Sequence, residues 1–491
     1  MSDSKEYRNI FKSTFLFGFV QIFNIAVKVG LNKTVALLLG TEGMGAISLF
    51  STAIHLISTG AGLGINQSSV RDIADAKSKD NFSQISLTIS FVKRTIRYTS
   101  ILGIIVMAAL SPCLSQWTFG NSNYTIPYLF LSLAVGATIQ TNGYRAINTG
   151  MRELKNVALS TIWGSVAGLL FAVPLYFLLG DKGIVPSLIM SSIATLLIAK
   201  YYADKVKYEK VQLSIKETLQ NSKNMIRMGT ALMLMSLILT ATQLVLSSFI
   251  SNHGGLSIVG IYQAGATIVT SYFGIIISAM STEYYPRISG FNEDNIKLKE
   301  AVNSQSEVGL LLSLPLIVIF IFLCPFFIEI LYSENFILAT GYLDYAIIGT
   351  ITIICSNCMG MVLLAKQEAK LFLISSLLSS GITLSINIFL YLYYGLVGLG
   401  IGYAINGAFQ YIMYNMIMKY KYDISFTRSL TANLLLSICV SIIAVFLRNF
   451  DISWLKWGGG CALLVLVTTY SFYILKNNMN INILKYITRK L

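Results

Sequence analysis

Apolar residues run along this chain in long stretches broken by short polar connections. The first covers about 11–39, and others follow near 43–68, 91–116, 123–149, 154–179, 183–203, 223–250, 256–284, 305–331, 336–364, 369–394, 396–418, 427–447 and 454–475. A helix needs roughly 20 apolar residues to cross the hydrocarbon core, where an unsatisfied backbone group costs several kcal/mol. The pattern therefore predicts an all-α polytopic membrane protein with about 14 transmembrane helices. On one side the connections are very short: Gly40-Thr-Glu-Gly, Gly180-Asp-Lys-Gly, Tyr332-Ser-Glu-Asn. On the other they are longer and amphipathic, from Arg71 to Arg97 and from Lys205 to Arg227.

Composition agrees. Of 491 residues, 55% are hydrophobic and 12% charged, against about 25% charged in a soluble domain. The net charge of +14 would point a soluble chain toward nucleic acid, but here the charges explain topology instead. Thirty of the 36 Lys and Arg fall in the even-numbered connections and the termini, including Arg71, Lys155, Lys205, Lys366, Lys419 and Lys476. The opposite connections hold three: Lys182, Arg448 and Lys456. By the positive-inside rule, an even number of spans places both termini in the cytoplasm. The first apolar run is too long for a signal-peptide core. The six cysteines lie in or beside apolar runs, and Cys355-Ser-Asn-Cys358 falls inside a span, where two small packing residues are expected rather than a redox pair.

The chain also resembles itself at an offset of 215 residues. Gly45-Ala-Ile-Ser corresponds to Gly260-Ile-Tyr-Gln, and Met151-Arg-Glu-Leu-Lys155 to Lys366-Gln-Glu-Ala-Lys370. Tyr176 pairs with Tyr391, Gly180 with Gly395 and Gly183 with Gly398. The offset covers six spans, so both halves share one orientation, as in a parallel repeat. The expected layout is an N-terminal six-helix lobe over 1–210, a second over 211–425, and two further helices with a tail over 426–491. In such an architecture the substrate path runs between the halves.

An ionisable residue at membrane depth is costly and is a functional candidate. Gln21, Asn24, Lys28 and Asn32 form one helical stripe on span 1. Lys28 is too deep to reach the interface cheaply, so the stripe should face a cavity. Lys33 either joins it or snorkels outward. His55 on span 2 is a cavity residue or a neutral histidine bonded to a neighbouring helix. Span 4 adds Gln140, Asn142 and Arg145, the last with its own route to the interface. In the second half Gln243, Gln263, Asn357 and Asn387 are polar but neutral. Asp344 is the acid well inside a span; it pairs with a lysine of the other lobe as a gate, or with polar neighbours. Glu283, Glu307 and Glu329 lie nearer span ends. A cationic first lobe suits an anionic substrate, and a negative interior favours outward passage by roughly 2.3 kcal/mol per charge per 100 mV.

The stretch Lys33-Thr-Val-Ala-Leu-Leu-Leu-Gly-Thr-Glu-Gly-Met-Gly45-Ala-Ile, followed by Gly60-Ala-Gly-Leu-Gly-Ile-Asn-Gln and Arg71-Asp-Ile-Ala, resembles the opening of Wzx-type O-antigen and polysaccharide flippases. These belong to the multidrug/oligosaccharidyl-lipid/polysaccharide exporter superfamily, whose drug exporters share the same two-lobe layout. Tyr284-Tyr-Pro-Arg-Ile288 and Ala365-Lys-Gln-Glu-Ala-Lys-Leu371 fit the same pattern. The resemblance implies alternating-access translocation of oligosaccharide on undecaprenyl pyrophosphate, in a bacterial cytoplasmic membrane. The expected partners are that lipid-linked oligosaccharide, membrane lipids and the polysaccharide polymerase machinery, with no nucleic acid and no cofactor. The expected substrate-binding residues are Lys28, Lys33, Asn24, His55, Gln140, Arg145 and Gln263, with Asp344 in coupling or gating. The last two spans form either a lipid-facing groove or packing helices.

Two other readings stand beside this one. A cation-coupled multidrug exporter would cluster acids in the first lobe, and the sequence has no such cluster there. A membrane polymerase or ligase would need a sizeable outer loop, and these are a few residues long. No nucleotide-binding, metal or nucleophile motif is present, so no enzyme is expected.

Overall fold

A computed structural model describes residues 2–79, 82–209, 211, 215–274, 277, 284, 285, 287–290 and 293–479, with the side chains of all of these except 2–19, 215–228, 231, 232, 272 and 477–479. Glu283 and the tail beyond 479 lie outside the described residues. Among those described there is no strand, and thirteen α-helices follow one another. They are α1 (Ser2–Leu38), α2 (Gly40–Ala61), α3 (Ile65–Ser78), α4 (Phe82–Phe119), α5 (Thr125–Gly150), α6 (Leu154–Leu179), α7 (Ile184–Ala203), α8 (Ile215–Thr267), α9 (Asn295–Leu331), α10 (Ala339–Ala365), α11 (Ala369–Tyr422), α12 (Arg428–Arg448) and α13 (Ser453–Met479). Nine stretches among the described residues are long and apolar enough to cross a membrane. Leu154–Ala203, Met233–Ser271 and Ala369–Tyr422 each hold two expected spans, whereas α1 and α5 are not among the nine. The count of fourteen therefore stays an expectation.

The chain divides into two compact units, Met1–Gly260 and Ile261–Leu491. In the first, α1 packs on α6, α2 on α4 and α5, and α7 on α5 and α6, while the short α3 lies across α4 and α5. In the second, α9 packs on α10, α12 and α13, and α10 packs along α11. Its core includes Tyr284, Val302, Met359, Val362, Leu363 and Met418. Cys358 belongs to that core and Cys355 is buried as well, both as free thiols.

The repeat read from the sequence reappears in the backbone. Gly180 ends α6 at φ 54°, ψ −134°. Gly395 breaks α11 at φ 57°, ψ −134°, so α11 is two helices joined at one residue. Only glycine adopts that conformation without strain. Arg152 and Gln367, also 215 apart, share a positive φ of 54° and 59°. The turns around them match bond for bond: the N–H of Glu153 donates to the carbonyl of Asn148 at 2.8 Å, and that of Glu368 to the carbonyl of Leu363 at 2.9 Å. The same local geometry at the same register is what a duplicated lobe predicts.

The second matched pair makes a contact. A Cβ added to Gly45 on α2 would lie 2.1 Å from the carbonyl oxygen of Leu256 on α8, and one added to Gly260 would lie 2.0 Å from that of Thr41. Since 41 and 45 correspond to 256 and 260, the crossing is reciprocal. The Thr41 and Ser257 hydroxyls meet at 2.7 Å beside it. Two helix backbones approach this closely only where both carry glycine, as in small-residue packing within membranes.

Candidate functional site

In the first unit the polar stripe of α1 meets α6 and α2. The Ser165 hydroxyl on α6 donates to Asn24 Oδ1 at 2.8 Å. One turn further along α1, Lys28 is exposed. It carries no ion pair among the described residues. Its ammonium lies within electrostatic reach of the exposed His55 on α2. Arg145 reaches α6 from α5: one guanidinium nitrogen sits 3.3 Å from where a Cβ on Gly164 would be. Its buried Nε has no hydrogen-bond partner among the described residues. Gly164 and Ser165 are adjacent, so α6 gathers Arg145 and Asn24 at one point. Lys28 follows Asn24 by one helical turn and has His55 near it, so the polar track of α1 extends past Asn24. An unpartnered donor of this kind is costly unless something else satisfies it.

The other expected residues divide. Lys33 is half-buried and engaged. Gln140 donates to the Ser100 hydroxyl at 3.0 Å, and that hydroxyl donates to the Gly136 carbonyl at 3.0 Å, so Gln140 ties α5 to α4. Gln263 belongs to the second unit; its Nε2 leans on the Thr267 hydroxyl at 3.4 Å, and its buried Oε1 has no partner among the described residues. Asp344 on α10 pairs with an arginine and not, among the described residues, with a lysine. Its Oδ2 accepts from Arg448 at the end of α12 at 2.5 Å, with both side chains buried.

Three features escaped the sequence reading. Arg448, by its position in the sequence a loop charge, is a buried ion-pair partner. Asn148 on α5 is fully buried with both amide atoms unpartnered among the described residues. Glu307 on α9, noted only as an acid near a span end, accepts from the Ser429 hydroxyl at 2.7 Å and from Asn433 Nδ2 at 2.6 Å. Asn433 in turn accepts from the Tyr470 hydroxyl on α13 at 2.5 Å. One helical turn earlier on α9, Asn303 Oδ1 accepts the N–H of Thr427 at 2.7 Å. Polar side chains facing one another within apolar runs are the signal, but partners more than 100 residues apart are not readable from one chain. Among the described residues no group of three His, Cys, Asp or Glu could hold a metal.

Comparison with known proteins supplies the wider context. The lipid III flippases of Escherichia coli (strain K12) and Shigella flexneri are each 22% identical over 363 residues, covering 71% of this chain and 84% of theirs. Among solved structures, the lipid II flippase MurJ in an inward closed conformation superposes with a TM-score of 0.70 at 14% identity, covering 96% of this chain and 100% of that one. An inward-facing multidrug resistance MATE family transporter of the MOP superfamily gives 0.65 at 16% identity, covering 84% of this chain and 99% of that one. The model of the family described as "Polysaccharide biosynthesis protein" matches residues 10–292, more than half of the chain, and the chain belongs to that family.

Proposed function

We propose that the protein flips an oligosaccharide linked to undecaprenyl pyrophosphate, an O-antigen or other surface-polysaccharide repeat unit, from the inner to the outer leaflet of the bacterial cytoplasmic membrane. The observation that carries the reading is the cationic track of the first unit: Lys28 exposed at mid-span without an ion pair, His55 beside it, and Arg145 with an unpartnered buried nitrogen. A pyrophosphate accepts several charge-assisted hydrogen bonds, which is what such donors offer. Relatives whose own names state lipid flipping support the same cargo class.

Lobes over 1–210 and 211–425, with two added helices over 426–491, would rock by alternating access around this track. Both termini are assigned to the cytoplasm on the loop charges. In this scheme Lys33, Gln140 and Gln263 flank the path, and Asp344 acts with Arg448. The polymerase machinery would receive the product.

The test is reconstitution. Proteoliposomes holding the protein and a fluorescent undecaprenyl-pyrophosphate oligosaccharide should move the label to the far leaflet, read by its access to an added glycosidase. Equal access in empty liposomes, or efflux of cationic dyes without movement of the glycolipid, would reject the proposal and, in the second case, favour a drug exporter.

A further inference from the structure

We propose that a crevice between α2, α5 and α7 of the first unit binds a phospholipid whose headgroup carries a primary amine beside its phosphate, of the ethanolamine class. The inference rests on the membrane-spanning fold and not on the proposed cargo. The crevice encloses about 710 Å³, with an apolar body built by Phe50, Phe130, Ile189 and Met190. Such a volume is ordinary for a small-molecule site. One wall is rigid. Tyr124 stacks on Phe119 with ring centroids 3.7 Å apart, and Phe50 lies 5.1 Å from both Phe119 and Tyr128. Preorganised aromatic walls of this kind lose little freedom when a chain packs against them.

The rim decides the occupant. It carries two acids and one base, Glu42 at the start of α2 and Asp181 and Lys182 in the turn before α7. All three are exposed. None of them forms an ion pair among the described residues. Both carboxylates lie within electrostatic reach of the Tyr124 hydroxyl, which places them over the same mouth. Carboxylates beside an ammonium, above an apolar body, complement a headgroup that carries an ammonium beside a phosphate, above acyl chains. An ethanolamine head donates N–H bonds to the carboxylates while its phosphate accepts from Lys182. A choline head has the same charges but no N–H to donate. A glycerol head has no cation at all and would meet the two acids with repulsion.

The crevice borders the glycine crossing as well, since Gly43, Ala46 and Leu256 line it. A bound lipid would brace α2 next to the point where it meets α8.

The full-length protein, purified and delipidated, is offered equimolar ethanolamine, choline and glycerol phospholipids with identical chains, and retained lipid is counted by native mass spectrometry. About fivefold preference for the ethanolamine lipid is expected over each of the others, the factor typical of one or two exposed charge contacts. Glu42→Gln with Asp181→Asn, both at exposed positions, should keep the melting temperature and abolish the preference over choline while lipid is still retained. Equal retention of all three lipids, a preference for the glycerol lipid, absence of any retained lipid, or a preference unchanged in the double variant would each overturn the proposal.

Discussion

The two units treat their intramembrane charges in opposite ways. In the first, Lys28 is exposed with no ion pair among the described residues, and Arg145 leaves a buried nitrogen unpartnered. In the second, Asp344 is locked to Arg448 and Glu307 accepts from Ser429 and Asn433. Both second-unit contacts bind α12 to the body of the unit, one from α10 and one from α9, and Tyr470 extends the Glu307 network to α13. The last two helices are therefore fastened to the second unit by polar side chains as well as by apolar packing. Charge that is already satisfied holds structure; charge left open is free to meet a ligand. The repeated backbone thus carries two different chemistries, and the difference lies in side chains rather than in the fold.

The sharpest way to break this comparison is at Lys28. Lys28→Ala should reduce glycolipid translocation by about a hundredfold, the scale of a lost charge-assisted contact in a dry site, while leaving the melting temperature of the purified protein unchanged. Lys28→Arg should recover most of it. A Lys28→Ala protein that translocates normally would remove the first unit's track from the path. The second unit should respond in the opposite sense. Arg448→Met leaves a buried carboxylate alone and should lower stability by about 3–5 kcal/mol, whereas Arg448→Met combined with Asp344→Leu should recover most of the loss. If the double variant is stable but inactive, Asp344 and Arg448 gate transport in addition to holding α12.

How far the sequence carried differs between these features for a physical reason. Apolar length and loop charge are local, so the helical class and the polarity of the connections could be read directly. The 215-residue repeat could be read too, because Gly180 and Gly395 mark the same turn and glycine identity survives where only glycine fits. The stripe of Asn24 and Lys28 followed from helical spacing. The partners did not. Arg448 sits at a helix end, where a basic residue ordinarily faces water, and only the packing of α12 turns it toward Asp344. Gln140 has the look of a cavity residue from its span, but the neighbouring Ser100 hydroxyl claims its amide. The approach of Arg145 to α6 runs past Gly164, a residue with no side chain to announce it.

The backbone half of the comparison can be sharpened at the matched turns. Gly180→Ala and Gly395→Ala each force a side chain into a conformation disfavoured by about 1–3 kcal/mol, and the space around both added carbons is open. The two variants should therefore lose similar stability, measured by thermal unfolding under one condition. Unequal losses would mean that the two turns, though alike in angle, are not equally constrained.

The smallest expected effect concerns the turn before α11. Glu368 accepts hydrogen bonds from Lys421 and, at 3.1 Å, from the Tyr422 hydroxyl. The Lys421 contact, followed by that of Tyr422, holds its carboxyl below the usual carboxylate range. A depressed acid contributes stability that is fully present above its unfolded value, near pH 4.3, and that disappears as the pH falls through the lower folded value. Its counterpart in the first unit, Glu153, has no ion pair among the described residues. Glu368→Gln should lower the melting temperature slightly at pH 7 and converge with the parent protein at pH values below the carboxylate range, while Glu153→Gln serves as the matched control. The Glu368 pair is exposed, so solvent screens it and the effect should shrink further in high salt. A difference that persists into strong acid would show that Glu368 acts through packing at the head of α11 and not through its charge.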